Sequence, residues 1–413
     1  MDKKNKNTIT VFEHQVLRAD DSGISKKALA ALQNFYGEKG VPYYSLIHKG
    51  VKFCEYVGVL QVGKYTIEIL PKADKNENKE EWKRMLIDML RAVGIFDIQA
   101  PSTSALSLKA NSILDLYFKL FLDETEQLLH KGLVKRYHKT EGNRTALKGN
   151  ILFGKHIQQN LVHQERFYVR YTTYDNEHSL NCVLYKTIQL LQRINTNSAI
   201  NSKIGALLLN FPEMPSIKID EAFFEKLIYN RKTEHYKKAI EIAKLLLLSY
   251  HPDISKGKND VLALMFDMNL LWEQFVYRSL KKYNSKKYQI SPQSYKYFWR
   301  KSGGNRMKMI PDIVIHKENN EKVVLDTKWK NIGDYNPSPE DLRQMYTYGK
   351  YHNNAQTALI YPGDKCDFIK GSFFKEEDNN IDSTQTCGIL KIKVEHPIKT
   401  WQASIAEQIF SKI

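Results

Sequence analysis

Two aspartates and a lysine close to residue 320 have the types and the spacing that could hold a divalent cation. The stretch MIPDIVIHKENNEKVVLDTKWK, residues 309–330, contains two short apolar runs joined by a polar turn, which predicts an antiparallel hairpin. Folding it about the middle of the turn places Asp312 opposite Asp326, and facing residues lie roughly 4.5–5.5 Å apart. Lys328 follows two residues later and projects from the same face as Asp326. Two carboxylates and an ammonium group gathered in this way predict a divalent-metal site suited to hydrolysing a phosphodiester.

A purely structural interpretation of this hairpin is the alternative. Asp-Thr-Lys is a short sequence, and a Pro-Asp pair often only opens a strand or a turn. However, two carboxylates that face each other across a ladder destabilise it unless a cation joins them. The residues on the opposite face of the hairpin are apolar: Ile313, Ile315, Val323 and Leu325. We therefore expect the hairpin to lie against a core.

A third carboxylate precedes the hairpin on a predicted helix that runs from Asp260 through VLALMFDMNLLWEQFVYRSLKKY. Glu273 falls in the middle of an apolar stripe on that helix, and a carboxylate facing a core is costly unless it is paired or metal-bound. The stripe comprises Leu262, Met265, Phe266, Val276 and Leu280. Glu273 could instead pair with a buried lysine or arginine. Because the hairpin follows so closely, we predict that Glu273 is a metal ligand.

These residues define the expected chemistry, which is metal-dependent cleavage. One or two Mg²⁺ ions, for which Mn²⁺ could substitute, would bind four ligands: Asp312, Asp326, Glu273 and the carbonyl of Thr327. Lys328 would position the attacking water and offset charge in the transition state.

A predicted helix after the hairpin places two further candidates one turn apart. Ser338 as N-cap and Pro339 at the first helical position predict where this helix begins. Gln344 and Tyr348 share one of its faces and could orient DNA, a phosphate or the attacking water. Glutamine and tyrosine at this spacing are otherwise ordinary surface residues.

Aromatic and basic residues interleave between the Glu273 helix and the hairpin, in YKYFWRK at 295–301 followed by GGNR. This pattern predicts a loop that contacts the nucleic-acid backbone. The candidate DNA-binding residues are Arg300, Lys301, Arg306 and Lys308. An edge strand with a solvated turn is an equally good interpretation.

Composition bounds the class of protein. The 413 residues carry a net charge of +16, which favours a polyanionic partner, although lysines spread over every segment are also compatible with a protein that is merely basic. Four widely separated cysteines predict reduced thiols and no zinc site. No signal peptide and no bilayer-spanning apolar run is apparent, which predicts a cytoplasmic protein without a membrane partner.

A partial nucleotide-binding motif occurs at 58–64, GVLQVGK. The next residue is Tyr65, where a P-loop needs serine or threonine, and the chain continues as a strand where a P-loop opens a helix. Gly63 and Lys64 are therefore predicted to form a hairpin turn, and no cofactor other than the metal is expected.

The pattern of elements predicts an α/β fold, α+β overall, in three domains. Residues 1–100 form a β-rich N-terminal module with one helix from Lys26 to Tyr36 capped by Ser25. Residues 101–255 form a mainly helical middle region with a β-hairpin, and the helices lie at about 105–131, 179–193, 202–209 and 221–250. Residues 256–413 form a domain with a mixed sheet flanked by helices, which carries the predicted metal site.

The candidate site resembles that of the PD-(D/E)XK nuclease superfamily. The matching positions are Glu273, Asp312 after Pro311, Asp326 and Lys328. Gln344 and Tyr348 are similar to the Q-x3-Y helix of the RecB-like branch. The resemblance implies a metal-dependent endodeoxyribonuclease with a PD-(D/E)XK domain at 256–413.

Most of the chain resembles the McrC family, the nuclease subunit of McrBC-type modification-dependent restriction systems, which act in phage defence. The resemblance rests on VGVLQVGKYTIEILPK, ALKGNILFGKHI, YDNEHSLN, IPDIVI and VVLDTKWK. It implies that the N-terminal part docks onto an AAA+ GTPase ring of the McrB type, which reads modified double-stranded DNA. The present chain would stimulate nucleotide hydrolysis and supply the cutting site with Mg²⁺.

Two other functions are open from the sequence alone. The first is a non-catalytic adaptor that activates a GTPase and only binds DNA. The second is a stand-alone structure-specific nuclease, which would be active without any partner or GTP. About 250 residues before the predicted nuclease domain favour partner docking, because the catalytic fold needs only about one ordinary domain length.

Overall fold

The computed structural model describes residues 8–19, 24–72, 78–94, 113–251, 260–317, 321–330, 332, 336–374 and 381–412, with only the backbone of 381–384. The chain divides into two compact units. The first combines Met1–Ala105 with Met265–Ile413, and the second is Leu106–Leu264. The second unit thus corresponds to the predicted middle region, whereas the predicted N-terminal module and nuclease domain share the first unit. In these described ranges, no helix is both long and apolar enough to cross a membrane.

The N-terminal part of the first unit is β-rich, as predicted, and contains two helices, α1 (Lys26–Tyr36) and α2 (Lys79–Val93). Ser25 caps α1 by accepting a hydrogen bond from the backbone N–H of Ala28, which confirms the predicted helix start. Its strands are β1 (Thr8–Phe12), β2 (Val16–Arg18), β3 (Tyr44–Ile47), β4 (Gly50–Phe53), β5 (Tyr56–Val62) and β6 (Tyr65–Leu70). β6 pairs with β1 in parallel and with β5 in antiparallel orientation, and β2, β4 and β3 form a separate small sheet.

The partial P-loop motif lies in the hairpin between β5 and β6. Val62 faces Tyr65 across the ladder, so that Gly63 and Lys64 form a two-residue turn. Gly63 has φ +55°, a left-handed conformation that glycine adopts without steric cost. The motif is therefore a strand turn and does not open a helix, as predicted.

The C-terminal part of the first unit contains a six-stranded mixed sheet of order β12-β15-β16-β17-β19-β18. Its strands are β12 (Gln289–Pro292), β15 (Ile313–His316), β16 (Lys322–Thr327), β17 (Gln356–Gly363), β18 (Asp367–Phe374) and β19 (Ile381–Lys393). Its helices are α9 (Met268–Lys282), α10 (Pro339–Tyr351) and α11 (Ile398–Lys412). β16, β17 and β19 run parallel, and the remaining pairs are antiparallel, which confirms the predicted mixed sheet.

Helices α9, α10 and α11 bury the apolar residues of this sheet. A core between the sheet and α10 includes Val314, Val324, Met345, Tyr348 and Leu359. The stacked rings of Trp272 on α9 and Trp401 on α11, with centroids 5.4 Å apart, hold those two helices together. The apolar face predicted for the hairpin is fully buried: Ile313, Ile315, Val323 and Leu325.

The helix predicted from Asp260 is wrong in its first third. Residues Val261–Asp267 form a strand, β11, and α9 begins only at Met268. A short apolar run suits a buried strand as well as a buried helix, and periodicity alone does not separate them. The N-cap Asp267 marks the start of α9, because its side chain accepts hydrogen bonds from the N–H groups of Asn269 and Leu270.

The second unit is mainly helical, with a three-stranded sheet. Its helices are α3 (Ile113–Lys131), α4 (Phe153–Asn160), α5 (Ser179–Ile194), α6 (Ser198–Asn210), α7 (Glu221–Glu225) and α8 (Lys237–Leu248). Its strands are β7 (Arg136–Arg144), β8 (Asn150–Ile151), β9 (Phe167–Asp175) and β10 (Tyr250–His251), and β11 begins here. β7 pairs with β9 over nine residues.

The second unit departs from the predicted elements at three places. The polar strand β7 and the helix α4 have weak sequence signals and were not predicted. The single helix predicted at 221–250 is interrupted, because α7 ends at Glu225 and α8 starts at Lys237 after a 3₁₀ turn at Glu234–Tyr236. The predicted boundary around 252–259 lies outside the described residues.

Candidate metal centre

The β15–β16 hairpin brings the two predicted aspartates together. Ile313 faces Leu325 in its ladder, and extending this register by one residue sets Asp312 opposite Asp326. The predicted register is therefore confirmed, although residues 318–320 of the turn lie outside the described ones. Asp326 retains only 1% of its exposure, because β16 is an interior strand of the sheet.

Asp312 is held in place by the residue that follows Asp326. Its Oδ2 accepts hydrogen bonds from the backbone N–H of Thr327 at 2.7 Å and from the Thr327 hydroxyl at 2.8 Å. Thr327 thus fixes the orientation of the Asp312 carboxylate. The role predicted for the Thr327 carbonyl as a metal ligand stays a prediction.

Lys328 lies next to Asp326, on the face that strand alternation predicts. Its Nζ is 2.8 Å from Oδ2 of Asp326 and 3.9 Å from Oδ1 of Asp341. Asp341, in the first turn of α10, also pairs with Lys330 at 2.5 Å. The pKa of Asp341 is lowered: burial would raise it, but the hydrogen bonds from Lys330 and Ser338 lower it further. Asp341 therefore remains a carboxylate that helps to hold Lys328.

Gln344 and Tyr348 join Lys328 to the start of the hairpin. Nζ of Lys328 donates to Oε1 of Gln344 at 3.3 Å, and Nε2 of Gln344 donates to the Tyr348 hydroxyl at 2.8 Å. That hydroxyl donates to the carbonyl of Ile310 at 3.0 Å, two residues before Asp312. The predicted pair on α10 is thus part of a continuous hydrogen-bond chain, and burial raises the pKa of Tyr348 to about 12.

Glu273 projects from α9 into the same site. Its Oε1 accepts a hydrogen bond from Nε2 of Gln293 at 3.1 Å, and Gln293 also donates its backbone N–H to the carbonyl of Asp312 at 2.9 Å. None of the ion pairs within the described ranges involves Glu273. The alternative of a buried cation partner is therefore not what the structure shows, and an amide is the partner.

The pKa values of the three predicted metal-binding carboxyl groups are raised, unlike that of Asp341. Burial, and then the charges of Asp312 and Asp326, raise the pKa of Glu273 to about 7. Burial also raises the pKa of Asp312, and burial together with Asp312 raises the pKa of Asp326. The pKa of Lys328 is raised as well, because its acidic neighbours outweigh its burial, so Lys328 stays protonated. A single ammonium thus faces several carboxylates.

The carboxylate oxygens of Asp312, Asp326 and Glu273 do not all lie within 4.8 Å of one another. Among the described residues, the trio whose ligand atoms all lie within 4.8 Å of one another is a different one, in the second unit: His138, Asp175 and Glu177. The structure therefore places Asp312 and Asp326 side by side, and Gln293 links Glu273 to the backbone carbonyl of Asp312.

The residues present fit a hard divalent cation. The donors are carboxylate oxygens, which Mg²⁺ and Mn²⁺ prefer. Oδ2 of Asp326 is buried and accepts no directed hydrogen bond, although Lys328 lies close to it. Buried carboxylates whose charge is only partly balanced are the arrangement that a cation stabilises.

The predicted DNA-binding residues lie on a two-stranded ribbon, β13 (Lys296–Arg300) and β14 (Arg306–Met309), rather than on an irregular loop. The candidate cations are all exposed: Arg300, Lys301, Arg306 and Lys308. Arg300 faces Arg306 directly across the ladder. Like charges in that position repel each other, so an anion between them would stabilise the ribbon.

Sequence reasoning missed several residues that position the site. Asp341 is not among the predicted site residues, and the spacing of Lys328 and Lys330, two residues apart after β16, is the signal that could have indicated an acidic partner. Gln293 and Glu13 had no such signal. Glu13 accepts hydrogen bonds from Nε1 of Trp329 at 2.8 Å and from the N–H of Lys72 at 2.7 Å, which ties the N-terminal part to the residue after Lys328.

The fold and the site define a mixed α/β protein with a buried carboxylate–lysine centre. A chain in the refined half-complex from the tetradecameric assembly of Thermococcus gammatolerans McrB AAA+ hexamers with bound McrC has the same fold, with TM-score 0.73 and 21% identity, covering 98% of this chain and 100% of that one. A chain in the cryo-EM structure of the Thermococcus gammatolerans McrBC complex matches with TM-score 0.51 and 23% identity, covering 68% of this chain and 88% of that one. None of the curated proteins compared matches this sequence.

The family follows from the sequence itself. The model of the family described as McrBC 5-methylcytosine restriction system component matches residues 51–362, about three quarters of the chain. This protein belongs to that family, which confirms the resemblance drawn from the motifs.

Proposed function

We propose that this chain is the Mg²⁺-dependent DNA endonuclease subunit of a McrBC-like restriction system. The observation that carries the proposal is the buried Asp326 with the partly buried Asp312 beside it and the protonated Lys328 2.8 Å from Asp326. Two desolvated carboxylates beside a lysine are the groups that phosphodiester hydrolysis with a metal needs. Membership of the McrBC family supports the assignment independently.

Asp312 and Asp326 would hold the ion, with Glu273 and the Thr327 carbonyl as the other predicted ligands. When bound, Mg²⁺ would supply Lewis-acid polarisation of the scissile phosphate. Thr327 holds the Asp312 carboxylate in one orientation through its two hydrogen bonds. Such fixed orientation matters, because a ligand displaced by about 1 Å can lower the rate by a factor of about 100.

Lys328 would act on the phosphate and on the attacking water. Its ammonium group carries the positive charge that offsets negative charge developing in the transition state. Asp326, Asp341 and Gln344 contact Nζ from different sides and so define its position. Tyr348 extends this support to the backbone of Ile310, which would keep α10 and the hairpin in register during the reaction.

We further propose that the chain docks on an AAA+ GTPase ring of the McrB type that recognises modified double-stranded DNA. The support is the family assignment and the fold shared with a chain of the McrB–McrC assembly. The hairpin at Gly63 and Lys64 shows that the partial P-loop is a strand turn, so nucleotide hydrolysis would come from the partner. We place this activity in the cytoplasm, which agrees with the four free thiols.

Plasmid cleavage by the purified chain together with its AAA+ partner tests both proposals. We expect cutting that requires GTP, methylated DNA and Mg²⁺ and that stops when EDTA is added. Asp326→Ala should abolish cutting while the variant still stimulates GTP hydrolysis by the partner. Full cutting by Asp326→Ala would refute the nuclease assignment, and GTPase stimulation without any cutting by the native chain would identify an adaptor. Efficient cutting without partner or GTP would identify a stand-alone nuclease.

A further inference from the structure

The ribbon formed by β13 and β14, with Tyr295 just before it, exposes most of its large side chains although it is rich in aromatic residues, and only its last residue, Met309, is buried. β13 and β14 pair only with each other in the sheet order of the described strands. The exposed large side chains are Tyr295, Tyr297, Phe298, Trp299, Met307 and Ile310, each more than 40% exposed. Apolar groups concentrated in this way on a soluble chain mark an interaction site.

The two faces of this aromatic ribbon differ in chemistry. Facing residues in a ladder share one face. A β-bulge at Phe298 shifts the register, so that Tyr297 pairs with Lys308 and Trp299 pairs with Met307. One face carries the pairs Tyr297–Lys308 and Arg300–Arg306, and the other carries the pairs Lys296–Met309 and Trp299–Met307. The first face is therefore cationic. On the second face Lys296 donates to the carbonyl of Tyr351, and Trp299 and Met307 form an exposed apolar surface nearer the turn.

Cation–π contacts order the cationic face. Nζ of Lys308 lies 4.0 Å from the ring centroid of Tyr295, and the guanidinium carbon of Arg306 lies 5.4 Å from that of Tyr297. The cations therefore have defined positions, although no carboxylate pairs with Arg300, Arg306 or Lys308 among the described ion pairs. A line of cations without acidic partners fits a polyanion.

Both ends of the ribbon connect to residues of the candidate metal centre. Gln293, two residues before Tyr295, bonds Glu273 and the Asp312 carbonyl. Ile310, directly after β14, accepts the Tyr348 hydroxyl hydrogen bond. Tyr351 at the end of α10 braces the ribbon, because its hydroxyl donates to the Phe298 carbonyl at 3.3 Å and its carbonyl accepts from Lys296. Whatever binds the ribbon therefore lies beside the site of cleavage.

We propose that the aromatic ribbon inserts between the strands of a locally opened DNA duplex and stacks an unpaired base on Trp299. The inference rests on the proposed nuclease function and names the form of DNA that the site takes. Every base has a flat face that stacks on an indole ring, so Trp299 with Met307 offers a sequence-tolerant platform. The opposite face, with Arg300 and Arg306, binds the phosphates of the other strand. A paired duplex cannot offer its bases to Trp299 without opening.

Trp299 also provides its own spectroscopic probe. Of the five tryptophans, Trp299 is 53% exposed, whereas the other four are at most 6% exposed: Trp82, Trp272, Trp329 and Trp401. Acrylamide, a neutral quencher, should therefore quench mainly the fluorescence of Trp299. A stacked base would exclude the quencher from this ring.

The experiment uses the full chain in EDTA, so that no DNA is cut, and compares a 30-base-pair duplex with the same duplex containing a three-nucleotide mismatched bubble. We expect the bubble duplex to protect Trp299 from acrylamide and to bind at least about fivefold more tightly than the paired duplex, as expected for one stacked base. Trp299→Ala should remove this preference, and Trp299→Phe should keep most of it. Phe374→Ala, an exposed aromatic at the end of β18, is the matched control and should bind like the native chain.

Two results would overturn the inference. In the first, Trp299 stays fully quenchable while the bubble duplex is bound; in the second, Trp299→Ala keeps the preference for the bubble. A parallel assay of both duplexes with Mg²⁺ and the AAA+ partner separates this inference from the proposed function. If the DNA is cut but Trp299 is not protected from acrylamide, the stacking inference is rejected and the nuclease proposal stands. If Trp299 is protected but no DNA is cut, the nuclease proposal is rejected and the stacking inference stands.

Discussion

Two groups of potential metal ligands in this chain differ in their burial as well as in their spacing. His138, Asp175 and Glu177 in the second unit lie closer together, with all three ligand atoms within 4.8 Å. Their side chains keep 24–50% of their exposure, so water solvates their charges. Asp326 in the first unit keeps 1%, and among the ion pairs of the described residues its charge is balanced by Lys328 alone.

This comparison indicates that desolvation, more than proximity, distinguishes the candidate metal centre. A solvated acidic group loses little when no cation is bound, since water already stabilises it. Buried carboxylates cannot rely on water, and their raised pKa values express that cost. We therefore propose that the buried group, rather than the solvated one, holds the metal, and the predictions below test the difference between the two groups.

The largest effect is expected at the aspartate pair. Asp326→Asn keeps the shape of the side chain but removes its charge, so cleavage of plasmid DNA should fall by more than about 100-fold, beyond the loss typical of residues that only support a ligand. Measured in the same assay, His138→Ala should cut at the native rate. Comparable losses in the two variants would mean that burial does not identify the functional group.

Stability should depend on pH and Mg²⁺ through the buried carboxylates. Because the folded-state pKa of Glu273 is raised to about 7 from 4.5, the folded chain holds more protons than the unfolded one, and stability should fall as pH rises from about 4.5 to about 7. Mg²⁺ binds only the deprotonated carboxylates, so it should raise Tm more at pH 8 than at pH 5.5. At a hundredfold excess of Mg²⁺ over Kd, binding stabilises the folded state by about 2–3 kcal/mol, which corresponds to a rise in Tm of a few degrees.

Glu13→Gln is the matched control for this pH effect. Burial also raises the pKa of Glu13 to about 7, but Glu13 contacts Trp329 and Lys72 rather than the aspartates. The variant should show a smaller loss of stability between pH 4.5 and 7 and an unchanged Mg²⁺ shift. An equal Mg²⁺ shift at pH 5.5 and 8 in the native chain would argue against a metal held by these carboxylates.

A smaller effect is expected from the hydrogen-bond chain on α10. Tyr348→Phe leaves Gln344 and the Ile310 carbonyl without the hydroxyl, which should lower stability by about 1–3 kcal/mol. Cleavage should fall about tenfold, equivalent to about 1.4 kcal/mol, because Lys328 loses part of its support. Tyr346→Phe on the same helix, whose ring packs against Phe373, should change neither quantity. If the Tyr348→Phe variant cuts DNA at the native rate, the hydrogen bonds that join Lys328, Gln344 and Tyr348 are not needed for cleavage.

The smallest effect should come from the solvated group. Glu177→Gln removes one charge from an exposed cluster, and its free energy of unfolding in urea should stay within about 0.5 kcal/mol of the native value. Its Mg²⁺ shift in Tm should match that of the native chain. A clear loss of the shift would place the metal in the second unit instead.

Local patterns were enough to predict the hairpin and the helix that follows it. The register of Asp312 and Asp326 follows from alternation about one turn, and Gln344 and Tyr348 follow from helical spacing. Ser338 marked the start of α10 correctly. Each of these depends on residues that are close along the chain, where backbone geometry fixes which side chains meet.

Contacts between distant segments could not be predicted from the sequence. Glu13 and Trp329 are 316 residues apart, and no periodicity indicates that a buried carboxylate pairs with that indole. The same limit explains why the N-terminal and C-terminal parts were predicted as separate domains although they share one unit. The strand Val261–Asp267 was missed for a different reason, since a short apolar run fits either type of element.

Mn²⁺ binding followed by electron paramagnetic resonance tests the central claim most directly, because it counts bound ions without requiring a partner or DNA. The account predicts one or two sites in the native chain at pH 7.5, the same number in Asp175→Asn, and fewer in Asp326→Asn. Full binding by Asp326→Asn together with a lost site in Asp175→Asn would contradict it.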